Sequence, residues 1–415
     1  MKVSVVIPTH NRSALVVKNV SALCNQSYPS ADFEVIVVAD GCMDDTVDAL
    51  RKLSTPFSLT VVEQPGGGPA VARNRGAALA KGDLLIFLDD DVEPTQTLVE
   101  AHVRAHRLKP GHVVIGYCPP VFRGKKGFFS ICMLVSWENM FSAMHRIGHR
   151  YTYRDLLSGN FSIESALFSR IGGFDPAFWC QEDSELGLRL IKSGIPFFFA
   201  PDAVGYHHET SNLNRSLRRK YEEGRADVLM GYRHPDVISV LPLCRLRLWL
   251  LGYIAYVLVF RWPKTGRVVS FLLKHMLYFM EKLRLRYRWQ RVLSFLNTYW
   301  YWCGVAEELG TEQALEGFLK NGLSKTGIGS EVEIDLVEGL GVVGEKIDMI
   351  RPEAVSIYYR GRFVGRIPPE PGAERLSSVH LCSVLAGELS WPLLRAMMVD
   401  GVLGGLGYGG KKPFE

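Results

Sequence analysis

Residues 1 to about 215 predict an α/β sheet, and three observations carry that reading. Short runs rich in β-branched residues alternate with helical stretches. The runs are apolar almost throughout, as strands buried on both faces are. Polar clusters follow the runs at once, and in such sheets chemistry gathers at the carboxyl ends of the strands. Taken in order, Val3–Pro8, Glu34–Asp40, Leu59–Glu63, Leu84–Leu88 and Val113–Gly116 read as strands. Ser13–Leu23, Asp45–Leu53, Ala70–Ala80 and Thr95–Leu108 read as the helices between them. Pro69, after Gly66-Gly67-Gly68, stands at a favoured first helical position.

At 415 residues the chain is too long for one ordinary core and suggests two or three units. Three are expected: the α/β domain over 1–235, a basic and apolar helical segment over 236–305, and a small α+β region over 306–415. In the last, Val332–Val337 and Val355–Arg366 look like strands and Trp391–Val399 like a short helix. A hydrophobic share of 47% with 22% charged residues excludes a mostly disordered or fibrous chain. A net charge of +5 does not suggest a nucleic-acid partner. Eight cysteines lie far apart with no CxxC pair, which argues against a disulfide scaffold or a cysteine-type zinc site and for a reducing compartment. The apolar run within Met1–Pro8 is too short for a signal-peptide core, so a cytoplasmic location is expected.

The first strand ends in Pro8-Thr9-His10-Asn11-Arg12, the second in Asp40-Gly41-Cys42-Met43-Asp44-Asp45-Thr46. A strand-end carboxylate such as Asp40 can accept a ring N–H of the kind uracil offers, whereas Asp45 can simply cap the next helix. The fourth strand runs straight into Asp89-Asp90-Asp91. Three adjacent carboxylates repel one another unless something positive sits there, and hard oxygen ligands favour Mg2+ or Mn2+ bound together with substrate phosphates. A solvated acidic turn ahead of a helix near Pro94 is the alternative. Gly159-Asn160, Gly172-Gly173-Phe174-Asp175 and Trp179-Cys180-Gln181-Glu182-Asp183 come next. Glu182 and Asp183 precede an amphipathic stretch, Leu186–Ile191, where a helix dipole favours acids for structural reasons as well. Tyr206-His207-His208-Glu209 closes the series. A lone histidine is usually a surface or core residue, but one beside a carboxylate site can complete a metal shell.

In that order, PTHNR, DGCMDDT, ARNRG (Ala72–Gly76), FLDDD, GGFD, QED and YHH resemble the family 2 glycosyltransferases of the GT-A fold, over about half the chain. The resemblance implies a mixed, mostly parallel sheet with flanking helices, a nucleotide-diphosphate sugar donor such as a UDP-sugar, Mn2+ or Mg2+ as cofactor, and inversion at the anomeric carbon. It implies that Thr9 and Asp40 hold the uracil ring, within a nucleotide site that also takes in Pro8, Asn11, Arg12 and Asp90. Arg73 falls on a nucleotide-binding arginine, Asp89 near the ribose, and Asp91 on the metal position of the DXD motif. Asp183 falls on the base that activates the acceptor, with Glu182 beside it. His207 matches a metal or diphosphate ligand, for which His208 is a substitute. The QxxRW motif of processive members is replaced by Leu217-Arg218-Arg219-Lys220-Tyr221. Transfer of one or a few sugars to a saccharide or lipid-linked acceptor is therefore expected. Specificity is expected in the loops between Cys118 and Leu157, which carry Phe128, Phe129, Trp137, Arg146 and Arg150. A sugar nucleotidyltransferase would show a Gly-rich, Arg-bearing loop where Pro8–Arg12 stands. An inactive carbohydrate-binding or scaffold protein would be expected to lack some of Asp89, Asp91 and Asp183.

Beyond the resemblance, Leu248–Phe260 is an unbroken apolar run of 13 residues, and Val268–Met280 is a second, interrupted by Lys274 and His275. Eleven basic residues between Arg245 and Arg291 surround them, and Glu281 is the only acid there. As a helix the first run would be about 20 Å long, too short to cross a bilayer. Cations around apolar faces with Trp and Tyr suit a membrane interface. The expectation is peripheral attachment at the inner face of the cell membrane, with packing on the α/β domain or on another subunit as the alternative. The C-terminal region is where an oligomer contact is expected, if one forms.

Overall fold

The structure, a computed structural model, describes residues 1–122, 127–323 and 330–399. It divides into two compact units, Met1–His145 with Thr152–Thr326, and Arg146–Tyr151 with Gly327–Glu415. These follow other lines than the composition-based boundaries at 235 and 305: the basic helical segment belongs with the sheet.

The first unit is built on β1 (Val3–Thr9), β2 (Phe33–Asp40), β3 (Ser58–Gln64), β4 (Leu84–Leu88), β5 (Val92–Pro94), β6 (Val113–Tyr117), β7 (Pro120–Phe122), β8 (Asn160–Glu164) and β9 (Phe197–Glu209). They pair in the order β3-β2-β1-β4-β8-β6-β9-β5, with β7 also on β9. Strands β1 to β4 are mutually parallel, and β8 and β5 run antiparallel to their neighbours. This is the mixed, mostly parallel sheet expected. Its central strands are buried on both faces, as in Val35–Val38 and Leu84–Leu88, which is why they read as unbroken apolar runs. Helices α1 (Ser13–Leu23), α2 (Thr46–Arg51) and α3 (Pro69–Leu79) connect the first four strands. A Cβ on Gly76 would lie 2.4 Å from Val6 Cγ1, so α3 reaches β1 only because residue 76 has no side chain.

Each of the five expected strands agrees with the structure to within a residue at either end. Helix α4 (Leu98–Leu108) starts three residues later than Thr95. The N–H and the hydroxyl of Thr95 both donate to the Val204 carbonyl, at 3.0 and 2.9 Å, so the residue serves β9 instead of a helix. Strand β9 is longer than the apolar segment before Tyr206 suggested. Its first half pairs with β6, and Gly205–Glu209 pair with β5 and β7.

Helices α5 (Phe128–Met144), α6 (Ser165–Ile171), α7 (Glu182–Lys192) and α8 (Leu213–Arg233) follow around the sheet, then α9 (Pro242–Leu246), α10 (Leu250–Phe260), α11 (Pro263–Lys282), α12 (Arg286–Leu309) and α13 (Glu312–Leu323). Helices α8 and α12 cross at near backbone contact. A Cβ on Gly224 would sit 2.1 Å from the Tyr301 carbonyl oxygen, and one on Gly304 1.9 Å from that of Tyr221. Beside this crossing the buried Tyr301 hydroxyl donates to Asp227 at 2.6 Å. Helix α10 packs on α12 through Tyr256 and Phe260 against Trp302. No helix among the described residues is long and apolar enough to cross a membrane.

In the second unit β10 (Glu331–Asp335) pairs parallel with β11 (Ala354–Tyr359), which pairs antiparallel with β12 (Arg362–Ile367). Helices α14 (Leu340–Ile350), α15 (Ser378–Ala386) and α16 (Ser390–Val399) complete it. Val355–Arg366, expected as one strand, is a hairpin. Arg360 and Gly361 both have positive φ, and their N–H groups donate to Asp335 at 2.9 and 2.8 Å, which fixes a two-residue turn. The strand expected to reach Val337 stops at Asp335 because Leu336–Glu338 form a 3-10 turn. Arg146 and Arg150, expected among the specificity loops, lie in this unit, where Arg150 donates to the carbonyls of Glu374 at 2.8 Å and Glu353 at 3.2 Å.

Candidate active site

Pairing decides what meets the acidic triplet. Strand β4 ends at Leu88 and β5 begins at Val92, which pairs with His207 on β9. That register brings His207 Nε2 to 3.5 Å from Asp91 Oδ1, while the His208 N–H donates to the Asp91 carbonyl at 2.8 Å. Arg12, just past β1, donates to Asp90 at 2.6 Å and to Asp91 at 2.7 Å. The Thr9 hydroxyl donates to the other Asp90 oxygen at 2.7 Å. Repulsion among the three acids is thus relieved by residues of the chain itself. Burial pushes the Asp90 carboxyl up to about 6 in spite of Arg12, and burial likewise raises that of Asp91.

Arg73 joins the triplet to the start of α7. It is 3% exposed, lies over the Phe174 ring, and donates to Asp89 and to Glu182 at 2.7 Å each. Burial alone would lower its pKa, but the two carboxylates outweigh that and raise it. Glu182 is buried, and burial pushes its carboxyl up to about 7 against the pull of Arg73. Its neighbour Asp183 is half-buried. Asp183 accepts long hydrogen bonds from the Ser158 N–H and hydroxyl, at 3.3 and 3.4 Å, and one of 2.8 Å from the N–H of Ser184. Glu182 is therefore locked inside, and Asp183 stands on the accessible side.

Asp40 has its carboxylate filled by the loop before α3. It accepts from the N–H groups of Gly67 and Gly68 and from the Gln64 amide, each at 2.8 Å. Gly68 has φ +87, a conformation that favours glycine, and Trp179 lies so close that a Cβ there would be 3.1 Å from its ring. Asn11, at φ +50, accepts from the Met43 N–H at 2.7 Å and so ties the β1 and β2 ends together. Pro8 sits within β1 opposite Val38. Asp45, read as able to cap α2, makes no side-chain cap; Asp44 instead accepts from the Thr46 N–H at 3.2 Å. The Gly173-Phe174 turn is pinned to α3 by Asn74, which accepts from the Phe174 N–H at 2.9 Å and donates to its carbonyl at 2.8 Å. Asn160 is wholly buried and bonds His102 at 2.9 Å and the Ala203 carbonyl at 2.8 Å. Burial lowers the His102 pKa to about 4, so the ring is neutral there.

The expected residues thus form three adjoining groups: Thr9, Arg12, Asp90, Asp91 and His207; Arg73, Asp89 and Glu182 with Asp183; and Asp40, Asn11 and the glycine loop. His208 is turned away to Glu93, 2.5 Å from its Nε2, and Lys18 bonds the same carboxylate. Sequence reasoning missed the placement of Trp137 on α5, whose ring centre is 5.5 Å from that of His207. It also treated Arg219 only as part of a departure from a motif. That side chain is solvent-accessible, 3.4 Å from Glu223, and feels the charges of Asp183 and Glu182. No local signal distinguishes it from the neighbouring Arg218.

Among the described residues no three His, Cys, Asp or Glu side chains converge to hold a metal unaided. Asp91 Oδ1 and His207 Nε2 do face each other. A hard divalent cation commonly takes one or two carboxylates together with substrate phosphates, so this pair fits an ion shared with a diphosphate.

The sequence profile of Glycosyl transferase family 2 matches residues 4–169, and that of the N-terminal domain of galactosyltransferase matches residues 138–212. The uncharacterized glycosyltransferase YfnE of Bacillus subtilis (strain 168) is 35% identical over 264 residues, 52% of this chain and 67% of its own. The chain belongs to glycosyl transferase family 2. As a family 2 glycosyltransferase it has the GT-A fold in its first unit. The strand-end residues from Thr9 to Asp91 fall in the first match, and Glu182, Asp183 and His207 in the second. Validoxylamine A glucosyltransferase of Streptomyces hygroscopicus subsp. jinggangensis (strain 5008) is 33% identical over 243 residues, 51% of this chain and 57% of that one. The chain therefore spans a little over half the length of that relative. Among solved structures, mannosyltransferase PcManGT from Pyrobaculum calidifontis, in complex with GDP-Man and Mn2+, is 19% identical with a TM-score of 0.48, covering 72% of this chain and 85% of that one. S. aureus TarS 1-349 in complex with UDP is 16% identical with a TM-score of 0.45, covering 75% and 92%.

Proposed function

We propose that this family 2 glycosyltransferase moves a sugar from a nucleotide-diphosphate donor, most simply a UDP-sugar, to a hydroxyl of a saccharide or lipid-linked acceptor, with inversion and without processivity. The observation that carries the reading is the contrast between two adjacent carboxylates. Glu182 is buried and spent on Arg73, whereas Asp183 is accessible and only loosely bonded at one oxygen. Two titratable groups with such different surroundings suit two roles.

Asp183 takes the proton of the acceptor hydroxyl as its oxygen attacks the anomeric carbon. The bond from that carbon to the diphosphate breaks on the opposite face, and its electron pair leaves with the nucleotide. One displacement then inverts the centre. Glu182, through Arg73, fixes the start of α7 and so the position of Asp183. The loop ordered by Asp40 and Asn11 shapes the seat of the base, and Arg12 and Arg219 supply positive charge toward the phosphates. Asp91 and His207 would hold Mn2+ or Mg2+, which when bound supplies Lewis-acid neutralisation of the departing diphosphate. The location that goes with a lipid-linked acceptor is the inner face of the cell membrane, with the protein peripheral to it.

The test is Asp183→Asn. Loss of a general base is typically worth about 10²–10⁴ in rate, so kcat should fall by that factor while donor binding, read by thermal shift with UDP-sugars and Mn2+, is kept. A variant in which only donor affinity changes would move Asp183 into the donor site and overturn its role.

A further inference from the structure

Helix α11 is apolar on both sides: Leu277 is buried in a core with Leu273 and Met280, and yet its outer face is apolar too. Its buried positions include Gly266 and Ser270, whose hydroxyl accepts from the Trp300 indole at 3.1 Å. Lys274 lies inward over the same indole, 4.5 Å from the ring centre. Its exposed positions carry Val268, Phe271, Leu272, Tyr278 and Phe279, with Phe271 and Phe279 each 61% exposed. These recur at the three- and four-residue spacing of one helical face, which a water-soluble surface would fill with charge. Helix α10 packs beside α11 and adds Leu250, Leu251, Tyr253 and Ile254, all exposed. Monomeric soluble proteins rarely leave so many apolar side chains contiguous and bare, and such a patch marks an interaction site.

What covers the face is indicated by charge. Lys264 and Arg267 stand exposed at the start of α11, and Lys282, Arg284, Arg286 and Arg288 at its end and just beyond. The single acid of the segment, Glu281, is turned inward, accepting from the Phe128 N–H at 2.8 Å at the start of α5. At the α10 side Arg261 and Arg247 are paired with Glu312 and Glu316, but an apolar face rimmed along α11 by exposed cations matches a leaflet of anionic lipid, where the rings enter the interface and the cations meet headgroups.

We propose that the exposed faces of α10 and α11 seat the protein on an anionic membrane surface, with Phe271, Leu272 and Phe279 entering the interface. This deepens the peripheral location put forward with the transferase reading. The connection to the site is short. Glu281 anchors the start of α5, and α5 carries Trp137 against His207, so a surface-bound acceptor approaches one helix away from the chemistry.

The test is co-sedimentation of the full chain with vesicles of mixed phosphatidylglycerol and phosphatidylcholine, and of phosphatidylcholine alone, at low and high salt. Binding is expected to the anionic vesicles, weakened by salt. Arg284→Gln with Arg288→Gln should weaken it roughly 25-fold, about fivefold per charge, and Phe271→Ser with Phe279→Ser should abolish it. Circular dichroism and stabilisation by UDP with Mn2+, measured without vesicles, should be unchanged in both double variants. The donor reading is thereby tested apart from the membrane one. Absence of vesicle binding at low salt by a monodisperse protein overturns the proposal. Equal binding by wild type and the Phe variant overturns it too. So does a concentration-dependent dimer that the Phe variant loses while vesicles are ignored, since a second copy would then own the face.

Discussion

Glu182→Gln separates the cost of a buried charge from its use. In the native protein the Glu182 carboxyl is pushed from 4.5 up to about 7, burial outweighing Arg73. A carboxyl raised on folding holds its proton more tightly in the folded state, so its ionised form destabilises the fold. That cost is full above pH 7, declines as pH falls toward 4.5, and is gone below it. At about 1.4 kcal/mol per pH unit, the gap corresponds to about 3 kcal/mol. Glutamine keeps an oxygen to accept from Arg73 and has nothing to ionise. The stability of wild type relative to the variant should therefore fall by about 3 kcal/mol between pH 4.5 and 7, with groups remote from Glu182 cancelling in the comparison and its neighbour Asp183 the exception. Urea unfolding of both proteins at intervals across that window measures it. A difference that stays flat with pH would show that Arg73 holds Glu182 ionised without cost, and the reasoning would be wrong. If Glu182 only positions Asp183, kcat should fall by less than the ~10² expected for loss of the base itself.

Asp91→Ala should leave the fold intact and remove the extra stabilisation that Mn2+ adds to UDP in a thermal-shift assay; a near-normal response to Mn2+ would refute the ligand assignment. His207→Ala should lose that same response, whereas His208→Ala should keep it, because His208 is engaged with Glu93; equal, mild losses at both would count against His207. Gly224→Ala places a methyl 2.1 Å from the Tyr301 carbonyl oxygen and should cost about 1–3 kcal/mol by urea unfolding. Gly317→Ala on α13, which meets nothing within 4 Å, should stabilise by up to about 1 kcal/mol, and similar effects at the two sites would contradict the close-crossing account.

Strands β1, β2, β4 and β6 were legible because burial on both faces leaves a continuous apolar run, a signal contained in each segment alone, and the half-exposed edge strand β3 by its β-branched run. The three-residue strands β5 and β7 are too short to carry a pattern, and β8 hides its polar Asn160 and Ser162 in the core, where His102 and His106 satisfy them. The β11–β12 hairpin was missed because Arg360-Gly361 is not among the usual turn pairs. Its positive φ values are secured by Asp335, 25 residues earlier in the chain. At the site, residue types at strand ends could be read, but not their commitments. That Asp40 is filled by glycine N–H groups, that Arg73 braces two acids, and that His207 and not His208 faces Asp91 all follow from register and packing. Likewise the apolar runs and cations of 248–291 were visible, but only packing on α12 reveals which side of α11 is bare.

One Arg12 nitrogen, Nη1, donates to two acids, and this sets the order in which the cleft can change. Asp90 is deep, shared with Thr9, and among the described residues pairs with no other cation, whereas Asp91 also looks toward His207. Were Asp91 to coordinate a divalent ion, Nη1 would have only to give up its bond to Asp91 and could keep the one to Asp90. A divalent ion held there would stand in for a positive group already at hand, so the field at the mouth of the cleft would change far less than three bare carboxylates would suggest. A donor diphosphate approaching from solution meets a nearly compensated surface before any metal arrives. Its encounter rate should accordingly depend little on divalent concentration, with the metal acting on how long the complex lives.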